Sequence, residues 1–207
     1  MTTGVVTGRV LECIRCDTEP MANVYKFGTP EPEDTEWTYG NVWATEETTG
    51  GGTRLVIAPA QGQTGVLAAL LKNMPGPFWV LYVLVIPRGR GEPGRYQSPE
   101  AQTEGAVATF LSEFSGFLEN DARHNLWIAS ESGPEMLIYD RHNVIYAYGP
   151  SDSRKVALAA KGFTEAPAIR FPSPHSHHYH QSLDSEEERL LGYWDWQRTP
   201  LKRSDEE

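Results

Sequence analysis

The chain has 207 residues and a formal net charge of −10, from 28 Asp plus Glu against 18 Lys plus Arg. That length suits one domain, residues 1–207, able to build a core without disulfides or metal, and the 11% aromatic content argues against a disordered chain. The acidity excludes broad binding to nucleic-acid phosphates, and two Cys cannot make a disulfide framework.

The acid excess sits at the two ends. Residues 61–163 are near neutral and hold the clearest periodic patterns, so 61–171 read as the core. Residues 1–60 read as a strand-rich acidic part, and 172–207 as a His-rich loop, a helix and a frayed tail. Short strands are expected at Val5–Cys13, Val24–Phe27, Thr38–Ala44 and Arg54–Ala58, separated by Pro, Gly and acidic clusters. A helix capped by Thr64 follows, with Val66, Leu67, Leu70, Leu71 and Met74 on one face; Pro75-Gly76-Pro77 ends it. Phe78–Ile86 is a continuous apolar run of the kind found in a strand buried on both faces. At nine residues it falls well short of the roughly 20 a membrane helix needs.

Ser98 and Pro99 read as the cap and first turn of a second helix, whose stripe is Val107, Phe110, Leu111, Phe114, Phe117 and Leu118. Three closely spaced strands, 126–130, 136–140 and 144–148, predict an antiparallel meander. A third helix runs from about Asp152 to Lys161, with Gly162 as a left-handed cap and Phe163 as its apolar contact. Ala168–Phe171 reads as a short strand. Ser185 with Glu188 three residues on gives a capping box for a fourth helix, with Leu190, Leu191 and Trp194 on its apolar face. The sum is an α+β fold with a mainly antiparallel sheet and about four helices packed on it.

Four segments could carry chemistry. His175-Ser176-His177-His178-Tyr179-His180 holds four of the six histidines. On extended backbone His175 and His177 share one side, His178 and His180 the other, and a His-x-His pair can place two imidazoles on one metal. The string resembles the His-x-His-x-Asp-His box of metallo-β-lactamase-like hydrolases. Tyr179 stands where that box has its aspartate, which removes a ligand, and no second half of the ligand set follows, so that family is not assigned. Cys13 and Cys16 form a C-x2-C with no partner pair at zinc spacing, and read as small buried residues. Arg88, Arg90 and Arg95 form the only basic cluster, a candidate grip for a carboxylate, phosphate or nucleotide. Glu31, Glu33, Asp34 and Glu36, next to Trp37 and Trp43, combine charge that steers a basic partner with rings that could anchor it.

No nucleophile elbow, phosphate-cradling loop or dinucleotide fingerprint is present. The sequence therefore predicts a non-enzymatic binding module for a protein with a basic surface, similar in size and charge to toxin-immunity proteins. Metal-dependent hydrolysis at His175–His180 and anion binding at Arg88, Arg90 and Arg95 are the alternatives. No cofactor is expected, with zinc the ion the histidines would favour. No nucleic-acid or membrane partner is expected either. The absence of a basic-then-apolar leader in residues 1–9 predicts a cytoplasmic protein.

Overall fold

A computed structural model describes residues 24–205. The predicted strand Val5–Cys13 and the Cys13/Cys16 pair lie outside these residues.

The described residues build an α+β fold around a nine-stranded sheet. Its strands are β3 (Val42–Glu47), β4 (Thr53–Ala58), β5 (Phe78–Leu84), β6 (Gly94–Gln97), β7 (His124–Ser130), β8 (Met136–Tyr139), β9 (Ile145–Tyr148), β10 (Thr164–Glu165) and β12 (Gln197–Thr199). The order is β10-β3-β4-β9-β8-β7-β5-β6-β12, antiparallel at every pairing except β10 on β3. The 126–148 meander is present as β7-β8-β9. A second, three-stranded antiparallel sheet joins β11 (Ser176–His177) to β1 (Phe27–Thr29) and β2 (Thr35–Glu36).

Five helices, α1 (Gln63–Leu71), α2 (Glu104–Glu113), α3 (Ser115–Asn120), α4 (Asp152–Ala160) and α5 (Asp184–Leu191), are present among the described residues. Their apolar residues meet one face of the large sheet. Leu67, Leu70, Val107, Phe110, Phe117, Leu158 and Leu190 pack there with Leu55, Val80, Tyr82, Leu126, Ile128 and Tyr139. Strand alternation sends the next residues to the opposite face, where a smaller cluster of Phe27, Tyr39, Ala44, Val56, Val144 and Ile169 joins the small sheet to the large one.

Several boundaries differ from expectation for identifiable reasons. Ser98 does not cap a helix; its buried hydroxyl accepts from Val80 N–H (3.2 Å), and Gln102 bridges back to Phe78. The helix starts instead after Thr103, whose hydroxyl accepts from Ala106 N–H, and it breaks at Phe114 into α2 and α3. Phe78–Leu84 is a strand, but Trp79 and Leu81 are only half-buried, so its second face is partly open. The 168–171 strand is absent; β10 takes the parallel edge position instead. The Ser185 capping box does not form either, because Leu183 occupies the cap position. Gly162 does adopt the left-handed conformation (φ 82°) with Phe163 buried behind it. Near the C-terminus Asp205 is buried, and its carboxylate meets Arg95 at 2.8 Å. No helix among the described residues is long and apolar enough to cross a membrane.

Candidate metal centre

The histidine segment reaches the body of the protein through main-chain bonds. His178 N–H donates to Lys26 O (3.0 Å), Ala122 N–H donates to His178 O (3.0 Å), and β11 pairs with β1 in the register Phe27 to His177. Alternation then separates the imidazoles. His175 and His177 lie together, ring centroids 5.3 Å apart; His178 and His180 lie together, stacked at 6.3 Å.

The first pair meets a third imidazole that the sequence pattern did not single out. His142 sits in the β8–β9 turn, packed against His175 (5.4 Å between centroids) and His177 (4.8 Å). One ring nitrogen from each of His142, His175 and His177 lies within 4.8 Å of the other two. Zinc-to-nitrogen bonds of about 2.0–2.1 Å in tetrahedral geometry set ligand nitrogens about 3.3 Å apart. The three rings are therefore close to a ligand set, with His175 the exposed member.

The turn holding His142 is built from its own sequence. Asn143 takes the left-handed conformation (φ 61°), which asparagine tolerates. Asp140 accepts main-chain bonds from His142 (2.9 Å) and Val144 (3.1 Å) with one oxygen. Its other oxygen takes His142 Nδ1–H at 2.8 Å. Tyr39 Oη–H donates to His142 O, and Arg141 N–H to Asn125 Oδ1, both at 3.1 Å. A carboxylate on one ring nitrogen fixes the tautomer and turns the other nitrogen, Nε2, into the acceptor, as in many metal sites. His175 is set the same way, since its Nδ1 lies 3.2 Å from Pro172 O, a group that can only accept.

His177 is half-buried, and its Nε2 has no hydrogen-bond partner. Burial, with the nearby charges of His142, Arg141 and His175, holds its pKa down at about 3, against the pull of Asp140. The ring is thus neutral at physiological pH, and its Nε2 meets no partner. Phe27 walls the triad, with its ring 5.2 Å from His142, 5.4 Å from His175 and 5.5 Å from His177; Phe171 closes on His142 at 5.3 Å. Apolar walls around polar ligands exclude water and strengthen ligand binding.

The other side of β11 does different work. His180 Nε2 lies 2.8 Å from Tyr25 O, and its N–H donates to Asp121, so it fastens the chain. His178 Nε2 lies 2.9 Å from Ser176 Oγ and 3.3 Å from Asp34 Oδ1. A serine relay needs the carboxylate on the ring nitrogen opposite the serine. Both groups here share one nitrogen, so this is a surface contact and not a nucleophile triad. The alternation expected from the sequence is present: His175 and His177 lie with His142, while His178 and His180 face the other way.

The arginine cluster does not converge. Arg88 pairs with Asp184 (3.3 Å), Arg90 with Glu188 (3.9 Å) and Arg95 with Asp205 (2.8 Å). Each guanidinium neutralises a different carboxylate of the C-terminal segment, which accounts for a basic loop in an acidic chain without an anion site. In the acidic segment Glu31, Glu33, Asp34 and Glu36 are exposed, as a steering surface requires. Trp43 is buried in the main core under Lys155, and Tyr39 is buried too. Trp37 is half-buried against the smaller cluster. Trp43 is therefore not an anchor for a partner.

Beside the triad runs an open groove of about 540 Å³ on the sheet face away from the helices. His142, Asp140, Arg54, Asn125, Tyr146 and Tyr148 are among its lining residues. His142 is legible in the sequence only through Asp140-x-His142, a carboxylate two residues before an imidazole in a turn. That signal is too short to stand out without the fold. Comparison with protein-family models, curated proteins and solved structures returned no match.

Proposed function

We propose that the chain is a metal-dependent hydrolase, with His142, His175 and His177 as ligands to a divalent ion, zinc by the preference of three imidazoles. The observation that carries this reading is the meeting of three ring nitrogens from two distant segments, one of them oriented by Asp140. Three protein ligands leave one coordination position open, the arrangement of catalytic rather than structural sites. An ion held there supplies an acidified water and a polarised substrate bond near neutral pH. In the hydrolysis, water adds across the scissile bond, its hydroxyl to the electrophilic centre and its proton to the leaving group. The chain's own part is to keep the three imidazoles aimed and to open the site onto the groove.

The test is a titration of the full chain with Co(II), followed by visible absorption. One equivalent with the intense bands of a tetrahedral or five-coordinate site is expected, displaced by Zn(II), and lost in His142→Ala and in His177→Ala. Binding that persists in His142→Ala but fails in His178→Ala would overturn the assignment.

The exposed acids Glu31, Glu33, Asp34 and Glu36 support a second reading, in which a basic protein docks beside the small sheet. Charge reversal at Glu33 and Asp34 would then slow association at low salt and leave dissociation nearly unchanged.

A further inference from the structure

A fully buried cation lies between the two segments that make the triad. Lys26 precedes Phe27, whose main chain pairs with His177, and Lys26 O accepts His178 N–H at 3.0 Å. Its side chain leaves this small sheet and enters the body of the protein. There Nζ–H donates to Leu118 O (3.1 Å) in α3, and the ammonium lies 4.0 Å from the centroid of the Tyr139 ring in β8. Tyr139, itself fully buried, donates Oη–H to Asn143 Oδ1 at 2.6 Å. Asn143 is the left-handed residue of the β8–β9 turn and the chain neighbour of His142. A chain of contacts therefore runs from the strand of His177 through Lys26 and Tyr139 to the turn of His142.

An ammonium in this place is costly, because burial penalises its charged form. Methionine has nearly the same length and would fill the space without that penalty. Asp140, Asp121 and Glu119 lie near enough to favour the charge. His124, whose Nε2 lies 3.4 Å from the same Leu118 O, is kept neutral by burial and by Lys26 itself. What the cation does that an apolar chain cannot is grip. A point charge attracts a carbonyl oxygen and the negative face of a tyrosine ring at once, and both attractions strengthen away from water.

We infer that Lys26 is a positioning residue of the three-histidine site: its ammonium holds Tyr139, and through it the His142 turn, against the strand that carries His177. It acts through Tyr139 and Asn143 and is not itself a ligand. The purpose of this arrangement rests on the metal-centre reading; the linkage between the two segments does not. Because the buried charge costs stability, its loss should separate two quantities that fall together in an ordinary core variant. At about pH 6.5 Lys26 still holds its proton. There Lys26→Met should leave the urea midpoint level or raise it, and yet loosen the triad.

The experiment compares full-length wild type, Lys26→Met and Tyr139→Phe at that pH. Leu158→Ala, a cavity variant in the core on the helix side of the sheet, is the destabilised control. In chelator, without metal, NMR follows the nuclear Overhauser contact between the Phe27 and His142 rings, whose centroids lie 5.2 Å apart. It should weaken in Lys26→Met and Tyr139→Phe and persist in Leu158→Ala. With metal, Co(II) affinity should fall by about 2- to 30-fold in each of the first two. The double variant should lose little more than the larger single loss, because both changes break one route. An unchanged ring contact in Lys26→Met overturns the positioning role. Where the wild type takes Co(II), an unchanged affinity in Lys26→Met overturns it as well, and so does an equal loss in Leu158→Ala. A weakened contact in a chain that takes no Co(II) sustains the linkage between the segments and removes the metal centre. Co(II) binding that is indifferent to Lys26 sustains the metal centre and removes the role of Lys26.

Discussion

Two polar clusters lie where the C-terminal segment folds back over the sheet, and they are built to opposite rules. Around Arg123 every nitrogen of the guanidinium is bonded. Asp121 takes Nε–H and Nη2–H at 2.8 Å each, Glu187 takes Nη1–H at 2.7 Å, and Asp184 and the His180 carbonyl take Nη2–H at 3.0 and 3.1 Å. Glu187 also accepts from Arg88 and Gly89 N–H, and Asp121 from His180 N–H. Burial pushes the Asp121 carboxyl up, but the bonds from Arg123 and His180 outweigh it and hold it below the usual range. Around His142 the opposite holds. Each imidazole is fixed by its neighbours or by burial, and lone pairs are left over, His177 Nε2 without any partner. A buried polar group without a partner costs free energy, so a saturated cluster reads as a clamp and an unsaturated one as a site.

Breaking the clamp should have the largest effect. Arg123→Met leaves Asp121 and Glu187, both fully buried, without their cation. Removal of one partner from a buried ionic cluster costs about 3–5 kcal/mol. Urea denaturation should show that loss, with α5 and the histidine segment released first in hydrogen exchange. A cost under about 1 kcal/mol would mean the saturated cluster clamps nothing.

Lys26 stands between the two extremes. Its ammonium is fully buried, donates to Leu118 O at 3.1 Å and lies 4.0 Å over the Tyr139 ring, one acceptor and one ring face for three N–H groups. Burial pushes its pKa down to about 7, while Asp140, Asp121 and Glu119 pull the other way. Between about pH 7 and 10.5 the unfolded chain binds more protons than the folded one, so stability rises with pH across that window; below it the cost is fully present. Unfolding free energy measured at pH 7, 8 and 9 should rise by about 1 kcal/mol per unit in the wild type. Lys26→Met should flatten that slope. Equal slopes in the two proteins would show that Lys26 keeps its proton throughout.

The contrast also explains what could be read from the sequence. The main core could, because its rules are local: the stripes of α1 and α2–α3, the apolar run of β5 and the meander turns each follow from residues within one element. The caps at Ser98 and Ser185 misled because a serine hydroxyl bonds whichever donor the fold brings near, here Val80 N–H for Ser98. Asp184 and Glu187, at the start of α5, belong to Arg123, some 60 residues earlier in the chain, a pairing that no local pattern encodes. Half of the triad's logic was present too, since alternation alone pairs His175 with His177. The third imidazole arrives through the register of β11 on β1 and the β8–β9 turn, and no local pattern encodes that distance.

Within the open cluster the comparison can be sharpened by removing orientation and keeping the ligands. Asp140→Asn retains size and can still accept from the turn, but it takes away the charge that fixes His142 Nδ1–H. Loss of such a carboxylate typically costs 10- to 100-fold in metal affinity. Competition against a chromogenic chelator should show a change of that size, with little change in the urea midpoint. An unchanged affinity would mean His142 is no ligand.

The smallest effect is expected on the far side of the same strand. Asp34 lies 3.3 Å from His178 and 3.1 Å from Ser176 Oγ, with 51% of its side chain exposed. An exposed pair of this kind is worth about 0–1 kcal/mol. Alternation along β11 points Ser176 and His178 away from the side on which His175 and His177 meet His142. Asp34→Asn should therefore leave Co(II) affinity within twofold and the urea midpoint nearly unmoved, even though Asp34, like Asp140, lies within ion-pairing distance of a histidine. Were Asp34→Asn to weaken the metal as much as Asp140→Asn, the two sides of β11 would not be chemically separate. His178 would then have to join the ligand set, and the division of the histidines into one ligating pair and one fastening pair would fail at the residue where it is easiest to test.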